Sequence, residues 1–238
     1  MTRKPYFTRA EITLWSLSVA LIVAAFLLFD RESYLTLAAS LIGVTSLILN
    51  AKGHPVGQVL MILFSLLYGI LSYALSYYGE MITYWGMTLP MAILSLISWL
   101  RHPYQGNRTE VEVRALSRRE LVLMLGVAAG VTLLFYFVLI HFHTANLLPS
   151  TVSVTTSFLA VYLTFRRSPL YALAYAANDA VLILLWSLAA ATQIRYLSVT
   201  VCFTAFLIND LYGYISWERM RKRQSTPCVL SATDEAEV

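Results

Sequence analysis

The sequence predicts an all-α integral membrane protein of eight transmembrane helices, one N-terminal helix followed by a 3+1+3 parallel-repeat core. Three observations predict it. The 238-residue chain is 58% hydrophobic and 13% charged, with a mean hydropathy of +0.67, whereas soluble domains carry about 25% charged residues. Its apolar stretches each approach the ~20 residues that a spanning helix needs. All its Lys and Arg residues except Arg31 and Arg195 fall on alternate connections between those stretches. Short alternating strands, the mark of a membrane barrel, are absent from the sequence.

The elements follow in order. Residues 1–33 hold a short basic N-terminus and TM1, Ile12 to Phe29. No small-residue cleavage site follows TM1, so it reads as a retained helix and not as a signal peptide. Residues 34–100 form a first three-helix unit: TM2 from Tyr34 to Asn50, TM3 from Pro55 to Tyr77, and TM4 from Met81 to Leu100. Gly79 and Glu80 read as the turn before TM4, and Pro90 predicts a kink within it. Residues 101–147 hold a long polar loop and the linker helix TM5, Leu121 to Phe142. Residues 148–218 form a second unit, with TM6 from Leu148 to Phe165, TM7 from Pro169 to Ala190 and TM8 from Tyr196 to Trp217. Residues 219–238 read as a disordered tail.

The basic residues orient the chain. Arg3, Lys4, Arg9, Lys52, the 4–5 loop, Arg166, Arg167 and the start of the tail share one side, which the positive-inside rule places in the cytoplasm. Both termini are then cytoplasmic, in a multi-pass protein of the inner or plasma membrane. The net charge of +4 is a topology signal, so nucleic-acid binding is not expected. Cys202 and Cys228 give no disulfide framework. No cofactor motif is present, and His141 with His143 lacks the acidic or Cys partners of a metal site.

An internal repeat relates TM2–TM4 to TM6–TM8. Lys52-Gly53-His54-Pro55 pairs with Arg166-Arg167-Ser168-Pro169 at an offset of 114. Leu89 to Arg101 pairs with Leu207 to Arg219 at an offset of 118, both ending in Ile-Ser-Trp-x-Arg. The two units run in the same direction because TM5 intervenes. Parallel three-helix units joined by a linker helix form the arrangement of the sugar-transporting SWEET fold, with substrate bound near the midplane between them.

Candidate site residues come from the cost of burying charge. A carboxylate at the centre of a spanning helix costs about 2.5–3.5 kcal/mol even on a lenient scale, so it marks a functional site by default. Asp179 in TM7 and Asp210 in TM8 are the acidic residues deep in apolar segments. They suit a cation, with aromatic faces assisting. Asn178 and Asn209 offer donors and acceptors to hydroxyls or an amide. Trp186 shares a face with Asp179, two turns away, and Tyr212 lies near Asp210. Trp85 and Tyr68 are candidate walls, and Gln58 a candidate inner-gate residue. Trp99 and Trp217 read as interfacial anchors. The TM6 hydroxyl run, Ser150 to Ser157, coats a cavity or bonds back to its own helix. Gly126-x-x-x-Gly130 in TM5 fits helix packing, extending to a homo-oligomer.

The order and spacing of several motifs resemble one family. These are the N-x-K-G-x-P turn (Asn50, Lys52, Gly53, Pro55), Tyr77-Tyr78-Gly79-Glu80, the Asn178-containing TM7, and N-x-x-x-G-x-x-x-W closing TM8 (Asn209, Gly213, Trp217). Over Tyr34 to Arg219 the chain resembles the PnuC-type transporters of nicotinamide riboside and nicotinamide mononucleotide. The resemblance implies a SWEET-like fold, uptake of a small cationic vitamin or nucleoside by facilitated diffusion, and trapping of the product by a cytoplasmic kinase. The W-x-x-W pair of nicotinamide riboside members is replaced by Tyr171 and Ala174, so thiamine or another nucleoside stays open as cargo. A reading from a different class is an intramembrane aspartyl-type hydrolase using Asp179 and Asp210. Asp210 lacks the Gly-x-Gly-Asp context of that class.

Overall fold

In the computed structural model, which describes residues 6–74, 77–144 and 146–226, eight helical spans of sufficient length and hydropathy pack into one bundle. α1 (Arg9–Phe29) opens with a capping box: Thr8 and Glu11 satisfy each other's backbone N–H. α2 (Tyr34–Ala51) and α3 (Pro55–Ala74) form an antiparallel pair, with Pro55 in the first turn, where its missing N–H costs nothing. α6 (Arg118–His141), α7 (Leu147–Phe165), α8 (Leu170–Ala190) and α9 (Leu197–Ser225) complete the set. α1 and α6 expose most of their apolar side chains, as suits helices facing lipid.

The fourth span differs from a helix kinked at Pro90. It runs as α4 (Tyr78–Thr83), a π-helical turn (Tyr84–Thr88) and α5 (Leu89–Arg101). Pro90 has no N–H for the helical ladder. The adjustment lies one turn earlier, where Leu89 N–H donates to the Tyr84 carbonyl. Such π-turns occur often at functional sites, and this one carries Tyr84 and Thr88. Gly79 and Glu80 do not form the turn. They lie in the first turn of α4, which packs so close to α6 that a Cβ on Gly79 would meet Leu139 Cδ2 at 2.6 Å.

The long polar loop is also more ordered than its composition implies. It holds an antiparallel hairpin, β1 (Pro103–Tyr104) and β2 (Asn107–Val111). Val111 N–H donates to Gly53 O at 3.1 Å, and Arg114 N–H to Arg167 O at 3.0 Å. Gly53 and Arg167 both adopt left-handed φ, +67° and +58°, and both close the last turn of the helix before them. The loop thus ties together two turns that are equivalent at the offset of 114.

Further contacts recur at these offsets. Trp217 Nε1 donates to Asn50 O at 2.7 Å, and Trp99 Nε1 to Thr164 O at 3.0 Å. Ser216 Oγ donates to Ala51 O, and Ser98 Oγ to Phe165 O. α9 and α5 therefore cap the last carbonyls of α2 and α7, respectively. The two indoles meet at 5.5 Å and are fully buried, 1% and 0% exposed. They are crossed clamps inside the bundle and not interfacial anchors, because the carbonyls they serve lie across the unit boundary.

α9 runs on to Ser225, so Arg219 to Ser225 of the expected tail are helical. Gln224 explains the extension: its amide accepts from Val113 N–H at 2.8 Å and donates to Val111 O and Glu110 Oε1, joining α9 to the hairpin. Residues 227–238 lie outside the described residues.

The Trp217→Ala substitution should cost about 3–5 kcal/mol, as for large aromatic truncations in a packed core. Chemical denaturation in detergent checks this. Trp217→Phe, which keeps a ring but loses the bond to Asn50 O, should fall between wild type and Trp217→Ala.

Candidate functional site: a buried carboxyl pair

α8 and α9 carry the two deeply buried aspartic acids. Ten residues into α8, Asp179 is 3% exposed; Asp210 on the neighbouring α9 is equally buried. The two carboxyl groups line the same cavity and lie within electrostatic reach of each other. Asp179 Oδ2 has no hydrogen-bond partner. The cavity is internal and narrow, about 20 Å³, room for about one water molecule. Its wall is aromatic on one side (Phe64, Phe203, Phe206, Tyr84) and polar on the other (Thr88, Ser157, Tyr175, Asn178). The offsets of 114 and 118 pair several lining positions: Gly43 with Ser157, Met61 with Tyr175, Phe64 with Asn178, and Thr88 with Phe206. The first unit supplies mostly apolar members and the second mostly polar ones.

Asn178 is fixed by α7. Its Oδ1 accepts from Thr156 Oγ1 and Ser157 Oγ at 2.9 Å, and from Ser153 Oγ at 3.4 Å. The hydroxyl run of α7 therefore serves both expected roles. Thr151 and Thr155 bond back to their own helix, while Ser153, Thr156 and Ser157 orient the Asn178 amide. With its carbonyl held by hydroxyls, the amide is left to present N–H donors to the cavity.

The other candidates are placed elsewhere. Asn209 Nδ2 donates to Ser18 Oγ on α1 and to Ala205 O, both at 2.8 Å, so it joins α9 to α1. Tyr212 Oη donates to Glu11 Oε1 at 2.9 Å, beside Lys52 at 3.2 Å from the same oxygen. Two residues beyond Asp210, about 200° around the helix, Tyr212 faces the α1 side. Gln58 Nε2 donates to Asn50 Oδ1 at 2.9 Å, inside the α2–α3 pair. Trp85 is 40% exposed at the outer surface of the bundle, its indole lying over Gly69, with Nε1 donating to Leu66 O.

Tyr68 and Trp186 stand behind the cavity wall. Tyr68 packs 4.4 Å from Tyr84 and 5.6 Å from Phe203, both wall residues. Trp186 is fully buried between Tyr77 at 4.7 Å and Tyr196 at 5.7 Å. These rings close the end of the bundle remote from the basic turns. Wall residues missed from the sequence left a periodic trace. Tyr175 lies one turn before Asp179, and Phe206 one turn before Asp210.

Among the described residues, no cluster of His, Cys, Asp and Glu is suited to a metal ion. At the basic end, outside the spans, burial lowers the pKa of the His54 imidazole from its ordinary value. That end is knit by ion pairs: Lys52 with Glu11, Arg114 and Arg166 with Glu120, Arg167 with Glu112, and Arg223 with Glu110.

Eight helices long and apolar enough to cross a membrane, packed around an acidic, aromatic-walled cavity, define a polytopic membrane protein. The chain belongs to the nicotinamide mononucleotide transporter family, which matches residues 33–219. It is 28% identical over 218 residues to the nicotinamide riboside transporter PnuC of Neisseria mucosa, covering 89% of this chain and 82% of that protein. Its fold is that of a crystal structure of the vitamin B3 transporter PnuC, with a TM-score of 0.79 at 22% identity, covering 92% of this chain and 94% of that one. The protein is therefore a membrane transporter and not an enzyme, and the hydrolase reading of the two Asp residues is set aside.

Trp85→Phe and Tyr212→Phe, both remote from the cavity, should leave cargo affinity within about twofold. Tyr175→Phe and Thr88→Val, which strip hydroxyls from the wall, should weaken it about fivefold to tenfold, the worth of one hydrogen bond of about 1 kcal/mol or slightly more. Equilibrium binding to the purified variants checks both expectations.

Proposed function

We propose that this transporter takes up a small cationic vitamin or nucleoside, nicotinamide riboside first among them, by facilitated diffusion through a midplane site between two parallel three-helix units. One observation carries the reading: Asp179 and Asp210 line one buried cavity together with Phe64, Tyr84, Phe203 and Phe206. A pyridinium ring carries a delocalised positive charge. Carboxylates attract it and aromatic faces stabilise it, most strongly where water is excluded. The N–H donors of Asn178 and the hydroxyls of Ser157, Tyr175 and Thr88 suit a ribose and a carboxamide. The curated relative is a nicotinamide riboside transporter, which agrees with that chemistry. Thiamine, also a ring cation, is the second cargo to test, because Tyr171 and Ala174 stand where the W-x-x-W pair of nicotinamide riboside members falls.

The reciprocal clamps, the matched turns and the paired cavity positions support the parallel repeat, with units at about 34–100 and 148–218 and a linker at 101–147. In the mechanism we propose, cargo enters from the side of the aromatic cap. It displaces water at the carboxyl pair, and the units then rock about it. Release follows when the clamps of Trp99 and Trp217 part. The basic end faces the cytoplasm of the cell under the positive-inside rule, with both termini there. A cytoplasmic kinase would hold the gradient by phosphorylating the cargo. Gly126 and Gly130, which have open space where a Cβ would stand, leave room for a second copy on α6.

Uptake by proteoliposomes tests the reading. Nicotinamide riboside should equilibrate across the membrane without a sodium or proton gradient, and Asp179→Asn should weaken its half-saturation about tenfold or more. Accumulation above the outside concentration, or an unchanged Asp179→Asn, would contradict it.

A further inference from the structure

We propose that Glu80 is a second, outer binding carboxylate for the cationic cargo, separate from the Asp179–Asp210 pair; this rests on the cationic-cargo reading above. Glu80 lies in the first turn of α4, at the end of the bundle remote from the basic turns, and is 3% exposed. Its Oε1 receives one long contact, from Ser153 Oγ at 3.5 Å, and its Oε2 has no partner. None of the ion pairs among the described residues includes it. A buried carboxylate normally has a counter-charge or several donors. Here one weak donor is present, and the missing partner is a cation.

The surroundings fit that partner. Glu80 lies within electrostatic reach of Tyr68 and Tyr84. Tyr68 Oη and Trp186 Nε1 are likewise buried without partners, their rings 6.3 Å apart. Aromatic faces beside an uncompensated carboxylate make a cation subsite. It leads inward by two routes. Ser153 contacts both Glu80 and Asn178, which lines the cavity. Tyr84, one turn along from Glu80, is itself part of the cavity wall. A cation crossing the aromatic cap thus meets Glu80 on its way to the Asp pair. The outer station draws a charged ring through a stretch of bundle that would otherwise exclude it, and gives no advantage to a neutral solute.

The test compares two cargos of almost identical shape in proteoliposomes: nicotinamide riboside and its reduced, uncharged dihydro form. Glu80→Gln keeps the shape and removes the charge. It should raise KM for nicotinamide riboside about tenfold to a hundredfold, the worth of a hydrogen bond to a charged group. It should leave kcat within about twofold and leave the reduced form unaffected. Glu80→Asp, which restores the charge, should return KM to within about threefold of wild type. An unchanged KM for the cation, or equal shifts for both cargos, overturns the proposal and makes Glu80 a packing group. If Glu80→Gln does not fold, Glu80→Met, uncharged and of similar length, takes its place: a rise in KM confined to the cation supports the proposal, and an equal shift for both cargos or no shift overturns it. Wild type that moves no nicotinamide riboside refutes the cargo reading itself. Loss in Asp179→Asn with no effect in Glu80→Gln refutes only the outer station.

Discussion

The structure depends on one constraint, the placement of two carboxylic acids at the same depth in an apolar bundle. Each would cost about 2.5–3.5 kcal/mol facing lipid. α8 and α9 offset that cost by packing against each other so that Asp179 and Asp210 share one enclosed space. The rest of the core is built around that space. α7 presents hydroxyls that hold Asn178, and the π-turn brings Tyr84 and Thr88 inward. The apolar first unit supplies the flat faces of Phe64 and Met61. A cavity lined by both acidic and aromatic side chains suits the charged-ring cargo we propose.

The ends of the bundle are closed by different means. At the basic end the closure is reciprocal. Trp99 and Ser98 cap the carbonyls of the second unit, and Trp217 and Ser216 those of the first. The hairpin crosses between the same two turns. These are directional bonds between units, so a rigid rotation of one unit breaks them together. At the other end, rings of Tyr68, Tyr77, Tyr196 and Trp186 pack with few hydrogen bonds. Contacts of that kind reseat with little directional penalty. A transporter needs both ends to open in turn, and the contrast gives each end its own barrier.

Much of the fold was legible in the sequence, because hydropathy, basic residues and the repeated Ile-Ser-Trp-x-Arg are local signals. The site was legible where cost of burial is a local signal too: Asn178, Asp179 and Asp210 stand at the cavity. Asn209 and Tyr212 were misplaced because a neighbour in sequence is turned about 100° around a helix, and only tertiary packing says which face α1 covers. Trp85 was misplaced for the same reason. Glu80 read as a turn residue because Gly79 precedes it; that glycine instead permits close approach to α6. Trp99 and Trp217 read as interfacial because an Arg follows two residues later, although the indoles point inward to carbonyls across the bundle. The polar loop gave no sign of its hairpin, whose order comes from Gly53, Arg167 and Gln224, all distant in sequence.

The measurement that tests the central claim most directly is calorimetric binding of nicotinamide riboside and its uncharged reduced form to the purified wild-type protein. The account predicts that the cation binds at least about tenfold more tightly, because an acidic pair in a buried aromatic cavity favours charge. Equal affinities, or tighter binding of the neutral form, would contradict it and leave Asp179 and Asp210 without a role in recognising cargo.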